Sequence, residues 1–425
     1  MWPASAGSTS YSRRGAILAL CVASLLSLGG SRPPEPSIAS LRARALIITD
    51  SETLAPFTFD RVMALLSSGE SAAWVDALLS DSFRTQRPNV MPLAGFIADP
   101  DEDGYWRPAG RSDWSHVKLI AIVNRFDLAA PHYRHCGEYR LIFTRRTEQA
   151  VRLHIAVGTV LPNPHPERGK AGCADVAAFW QDLARTESAG TRRDRLERFF
   201  FAGMTPFRAV LDPRDFAESG RIRTSEISSA RPRFRQFELQ RECASGRPCV
   251  ARLIRVPLDN MPDADLFAAD SSRARAFRRE FLGQVASLAI FDVNRYSMSV
   301  DRAYSVTDTD GVIPPFNYRL PFRRSLASPG GREFREQIAD ELKKAGSGLT
   351  PENIIDRAET QNCAGCHGKR GPVGDGLIFP KAFDSGEHLS DESLVGSVRV
   401  SPALEEVYLP YRIRLLTECS AAEDQ

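Results

Sequence analysis

Near the C-terminus the chain reads Gln361-Asn362-Cys363-Ala364-Gly365-Cys366-His367-Gly368, a C-x-x-C-H pattern. Two thiols three positions apart, followed directly by an imidazole, must emerge from one short turn of backbone. Random order of eight Cys and seven His among 425 residues would produce this pattern far less than once. The spacing is that of covalent haem attachment, in which each thiol adds across one vinyl group and the histidine ligates the iron. Cys363 and Cys366 are the candidate attachment residues and His367 the candidate proximal iron ligand. Two other uses of paired cysteines fit less well. A thiol–disulfide pair expects a strand before it and a helix after it, whereas a helical pattern precedes this one. A zinc pair needs further ligands at tight spacing, and the other Cys and His are distant.

The N-terminus has the form of an export signal. Arg13 and Arg14 precede the apolar run Ala16–Leu28, the small residues Gly29, Gly30 and Ser31 follow, and Pro33-Pro34 comes next. The run is short for a membrane span, and no other segment approaches the ~20 apolar residues a span needs. The expectation is a signal peptide over residues 1–31, against an uncleaved anchor, and a periplasmic or extracellular location. Haem attachment and disulfides both belong outside the bacterial cytoplasm. Among the other cysteines, Cys243 and Cys249 bracket a turn-forming run between strand-like segments, which makes them the favoured disulfide. Cys136–Cys173 is a second candidate, and Cys419 is left over. Sequence alone does not set connectivity.

Residues 32–40 read as an extended linker, and residues 41–327 as a mixed domain. Strand-length apolar stretches occur at Leu46–Thr49, Val117–Asn124, Tyr139–Thr144, Arg152–Val160, Phe234–Leu239 and Val250–Val256. Helical patterns occur at Phe59–Leu66, Trp74–Leu79, Ala174–Arg185, Arg192–Phe201 and Arg273–Ala289. The strands come in groups and do not alternate strictly with helices, so the expected class is α+β and not a doubly wound parallel sheet. Composition changes at Ser328-Pro329-Gly330-Gly331, and residues 328–425 read as a small all-α domain. Within it Phe334, Ile338 and Leu342 share one helix face, and Thr350-Pro351 caps a helix running into the cysteine motif. A last helix starts at Ser401-Pro402, and Pro410 should kink or divide it.

A helix into C-x-x-C-H, a Gly-rich loop and a closing helix near the chain end together resemble a class I-type c-type cytochrome domain, over about residues 331–425. The resemblance implies one covalent haem c, with Cys363 and Cys366 as thioether residues, His367 as proximal ligand, and a closing helix that packs on the N-terminal one. Cytochromes of this class usually supply a distal methionine, but this chain has none after Met298. His388 is the only other histidine beyond the motif and is the candidate sixth ligand, against an open site or a ligand from the larger domain. Two imidazoles would set a lower potential than a His/Met pair. Ile378, Phe379 and Phe383 are candidate haem-wall residues. The segments Val123–Leu128 (VNRFDL) and Cys136–Phe143 (CGEYRLIF) resemble motifs of uncharacterised exported bacterial proteins that also end in a haem motif, which implies no activity.

Other signals are weaker. Asp99, Asp101 and Asp103 place oxygen ligands at alternate positions before Gly104, the first half of a calcium loop, but Gly110 stands where the closing acid belongs. The alternative is an acidic surface turn. His132, His135, Cys136 and Glu138 form a conceivable metal cluster, unless Cys136 is oxidised. No G-x-S-x-G, H-E-x-x-H, P-loop or G-x-G-x-x-G occurs. Net charge is +2 with interspersed signs, so nucleic acid is not expected as a partner. The leading expectation is one-electron transfer with a redox partner protein. The alternatives are an oxidoreductase whose large domain binds substrate while the haem relays electrons, and a haem sensor without turnover.

Overall fold

Seven strands follow one another in space in the same order as in the chain, each antiparallel to the next. This arrangement comes from a computed structural model that describes residues 35–67, 117–146, 152–227, 232–243, 250–307, 317–362, 371–379 and 401–421. The first half runs β1 (Ile47–Ile48), α1 (Phe59–Leu66), β2 (Lys118–Arg125), β3 (His135–Arg146) and β4 (Arg152–Pro162). Then come α2 (Ala174–Arg185), α3 (Ala189–Glu197), β5 (Arg221–Ile227), β6 (Pro232–Glu242) and β7 (Val250–Val256). After the sheet the chain turns helical, with α4 (Ser272–Leu282), α5 (Pro329–Lys344), α6 (Pro351–Thr360), a hairpin of β8 (Gly371–Pro372) and β9 (Ile378–Phe379), and α7 (Leu409–Ser420). The protein is α+β, with a seven-stranded antiparallel sheet and a small C-terminal helical region that carries the two-stranded β8–β9 hairpin.

Period-two alternation sorts the strands into two faces. Tyr139, Leu141 and Phe143 of β3 are fully buried, as are Leu153, Ile155 and Val157 of β4, Ile222 of β5 and Phe237 of β6. They face the helices: Tyr139 stacks on Trp180 of α2 with ring centroids 5.5 Å apart and meets Phe199 edge-on at 5.3 Å. Each such aromatic side chain buries a large apolar area, and offset or edge contacts add about 0.5–1.5 kcal/mol per pair. Among the alternate residues, Glu138 and Arg140 of β3, Arg221 and Arg223 of β5 and Gln236 and Glu238 of β6 line the other face.

The expected strands and helices are present wherever they fall among the described residues, with β5, β8 and β9 added and one helix broken. The β8–β9 hairpin stands within the region expected to be all-α. β5 carries only two aliphatic residues in Arg-Ile-Arg-Thr-Ser-Glu-Ile, so its pattern does not look apolar in sequence. It pairs on both sides nonetheless. The expected helix Arg273–Ala289 stops at Leu282, and a separate turn Val285–Leu288 follows Gly283. Trp74–Leu79 and the signal segment lie outside the described residues.

Packing divides the chain differently from the composition change at residue 328. One core combines the sheet with α1, α2 and the Phe199-Phe200 aromatic pair, and it also takes in Leu409, Leu416 and Cys419 of α7. A second core runs from Ala264 to Phe379 and joins α4, α5, α6 and the β8–β9 hairpin. The last helix therefore packs on α2 and on the turn after β2, not on α5 as the cytochrome resemblance implies. Its buried face also carries Arg412, which meets Asp127 there. Pro410 does divide this last helical run. It cannot donate a backbone hydrogen bond, and a widened π turn, Leu404–Tyr408, precedes α7.

One disulfide joins Cys136 at the start of β3 to Cys173 at the head of α2, with Cα atoms 5.3 Å apart. Cys243 is also disulfide-bonded, to a cysteine outside the described residues, as its favoured partner Cys249 is. Cys419 is buried in the sheet-side core, where its thiol donates to the Lys170 carbonyl at 3.3 Å.

Candidate functional site

The described chain stops at Asn362, directly before the cysteine motif, and resumes at Gly371. Cys363, Cys366, His367 and His388 lie outside it, as do Asp99, Asp101, Asp103 and Phe383. The frame on either side of the motif is described. α6 begins with a complete capping box, in which Thr350 and Asn353 each receive the other's backbone N–H, and has Pro351 in its first turn. Arg335 of α5 pairs with Glu352 at 2.9 Å, and Arg319 with Asp356 at 3.2 Å. Ile354, Ile355 and Ala358 are fully buried.

Arg357 is the centre of this frame. Its Nη1 donates to the carbonyls of Leu288 and Ile290 at 2.9 and 3.0 Å, and its Nε donates to Val373 O at 3.0 Å. One guanidinium thus ties the helix before the motif to the strand segment after it and to the end of the Val285–Leu288 turn. Arg357 has 0 % exposure, and its Nη2 has no partner among the described residues. Burial lowers its pKa, although Tyr296 and Asp375 act the other way. Thr360 donates to the Arg357 carbonyl at 2.7 Å, which leaves the Tyr296 hydroxyl as donor in its 2.7 Å bond to Thr360. After the motif, Gly374 has φ +94°, and a Cβ there would lie 2.3 Å from Leu349 Cδ2, so only glycine fits. Of the candidate haem-wall residues, Phe379 is buried in the helical core and Ile378 is 68 % exposed.

A second constellation lies on the outer face of the sheet, and sequence reading missed it as a site. Arg125 and Glu138 are register partners on β2 and β3, so the VNRFDL and CGEYRLIF segments meet there. Arg125 forks onto Asp127 at 2.9–3.2 Å, and Arg140 forks onto Glu138 at 2.7 and 3.0 Å. Arg223 reaches across β4 to Glu138 at 3.2 Å and holds Asp259 at 3.0 Å. Gly158 of β4 makes that crossing possible, because a Cβ there would lie 2.9 Å from Glu138 Oε1. Beyond it, Arg302 pairs with Asp259 and Glu238, and Arg221 with Glu238 at 2.9 Å. Arg412 arrives from α7, placing its Nε 3.3 Å from Asp127 Oδ1.

The electrostatics follow from these distances. Burial would push the Asp127 and Glu138 carboxyls up. Arg125 and Arg412 overcome this at Asp127, and Arg140, Arg223 and Arg125 at Glu138, so both stay well below the usual carboxylate range. Arg412 shows the opposite balance. Burial, with Arg125 beside it, pulls its guanidinium down to about 9 despite Asp127.

The conceivable metal cluster at His132, His135, Cys136 and Glu138 does not form. Cys136 is spent in its disulfide, His135 Nδ1 accepts the Gly137 N–H at 3.3 Å, and Glu138 is held by two arginines. Among the described residues no group of three or more His, Cys, Asp or Glu is placed to hold a metal ion, and no helix is long and apolar enough to cross a membrane.

Compared with known proteins, the chain matches no family model, no curated protein and no solved structure.

Proposed function

We propose that this is an exported mono-haem protein that transfers single electrons to or from a redox partner protein, with Cys363 and Cys366 holding the haem and His367 ligating its iron. The observation that carries the reading is the Cys363-Ala364-Gly365-Cys366-His367 sequence itself. The frame around it is consistent with such a group. A capped helix leads into the motif, and Arg357, fully buried and with its Nη2 unpartnered among the described residues, stands six residues before Cys363. Arg357 therefore has a donor available for a haem carboxylate. When bound, the haem supplies the one-electron chemistry, and the protein's part is to hold, orient and tune it. His388 is the proposed distal ligand. The Cys136–Cys173 disulfide supports maturation in an oxidising compartment, as attachment of this cofactor requires.

The test is expression for export with a haem-maturation system, beside a Cys363→Ala/Cys366→Ala control. Haem that stays with the wild-type band on a denaturing gel, with a c-type pyridine haemochrome spectrum, and is lost in the control is the expected result. A wild-type protein without covalent haem ends this reading. For His388, loss of the low-spin spectrum in His388→Ala is expected, and an unchanged spectrum removes the distal assignment.

A further inference from the structure

We propose that the cleft between α2 and the turn after α3 binds a small zwitterion with an apolar side chain, an α-amino acid of the leucine or phenylalanine kind. One wall is a single face of α2, on which Asp175, Phe179 and Asp182 fall at helical spacing. The other wall is Arg195 in the last turn of α3, with Arg198 and Met204 beyond it. Arg198 begins the widened π turn Arg198–Ala202, a form frequent at functional sites. Phe179 stacks on Phe199 with ring centroids 4.7 Å apart, which joins the two walls. The Gly203 N–H donates to Arg198 O and the Met204 N–H to Phe207 O, each at 2.8 Å, so backbone bonds fix the second wall. The cleft holds about 340 Å³, near the low end of the ~300–1,000 Å³ range of small-molecule sites.

Charge selects the ligand. Each wall carries one sign, with Asp175 and Asp182 on α2 and Arg195 and Arg198 opposite. No ion pair joins the two walls among the described residues. Asp182 pairs instead with Arg185 of its own helix at 2.7 Å. Arg195 donates to Thr186 Oγ1 at 3.1 Å and lies over the Phe179 ring, 5.2 Å from its centroid. Asp175 and Arg198 make no side-chain hydrogen bond or ion pair among the described residues. A simple anion would face two carboxylates here, and a simple cation two guanidiniums. A neutral apolar molecule would strip water from charged groups without replacing it. A molecule with both an ammonium and a carboxylate answers both walls. Asp175 accepts from the ammonium, and the planar fork of Arg198 matches the carboxylate. Met204 and Phe179 line the same space and give the ligand side chain an apolar surface, the thioether being able to adapt its shape.

The experiment is calorimetric titration of the full-length protein with L-leucine and, separately, with L-phenylalanine. Three controls each lack one feature: isocaproate has no ammonium, isoamylamine no carboxylate and glycine no apolar side chain. Saturable binding of one or both amino acids is the expected result. Asp175→Asn and Arg198→Gln each remove one charge-assisted contact and should weaken it at least about tenfold. Both residues are exposed, so both variants keep the fold. Tighter binding of leucine or of phenylalanine names the side-chain class. Three results overturn the proposal: no saturable binding of either amino acid, equal binding of any control, or wild-type affinity in either variant. The cleft shares no residue with the cysteine motif, so failure of this site and failure of the haem reading are separate outcomes.

Discussion

Arg357 and Arg412 are both buried, one in each core of the molecule, and they are neutralised in opposite ways. Arg357 is answered by three backbone carbonyls and Arg412 by a carboxylate. Carbonyls belong to fixed backbone and carry no net charge, so Arg357 acts as a brace whose removal disturbs the fold around the cysteine motif. Carboxylates titrate, so the network around Arg412 carries a pH dependence that the carbonyls around Arg357 lack. The same residue type therefore serves as a structural tie in the helical core and as part of a charged face on the sheet.

The comparison can be broken most directly at Arg357. Arg357→Ala strands three buried carbonyls and leaves a cavity, and it should cost at least about 3 kcal/mol in urea unfolding. Arg357→Lys should recover only part of this, because one ammonium does not reproduce the planar fork. A loss below about 1 kcal/mol would mean that Arg357 is no brace. On the sheet side, Cys136→Ser/Cys173→Ser opens a loop of sequence separation 37 and should cost about 2–4 kcal/mol. The helical core should keep its protection in hydrogen exchange.

Gly158→Ala tests the crossing over β4. Its Cβ would meet Glu138 Oε1 at 2.9 Å, and the expected cost is about 1–3 kcal/mol, with weaker Glu138–Arg223 coupling in a double-mutant cycle. The smallest effect is in pH. Glu138 has a folded pKa below its unfolded value, so its stabilisation is complete above the ordinary carboxylate range and is lost as pH falls towards the folded pKa. Down to pH 4 its loss should stay under about 1 kcal/mol and then steepen. Glu138→Gln should flatten that acid limb in denaturation measured from pH 7 to pH 3. An unchanged limb would mean that Glu138 is not held by its arginines.

Much of the sheet was readable in advance because its inner face is apolar at period two: Tyr139, Leu141 and Phe143 recur at every second position and are all buried. β5 was not readable, because half of it faces the charged side and a strand of alternating arginines looks like surface loop. The charged site was invisible for a related reason. VNRFDL and CGEYRLIF were noticed as segments, but nothing in either shows that Arg125 stands opposite Glu138. The disulfides divide in the same way. Proximity in sequence favours a local partner for Cys243, which is disulfide-bonded, whereas Cys136 and Cys173 are joined because β3 and α2 meet at one end of the sheet.

By itself the sequence determined the chemistry that is local. The C-x-x-C-H spacing, the Thr350-Pro351 cap, the break at Pro410 and the period-two strands each depend on residues within a few positions of one another, where backbone geometry fixes the outcome. Tertiary structure alone decided what depends on distant segments meeting. It set the side of the molecule on which the last helix lies, the pairing of Cys136, the tie that Arg357 makes across the motif, and the gathering of Arg125, Arg140, Arg223 and Arg412 around two carboxylates. Charge and burial act through space, so a linear pattern carries the residues of such a site but not their convergence.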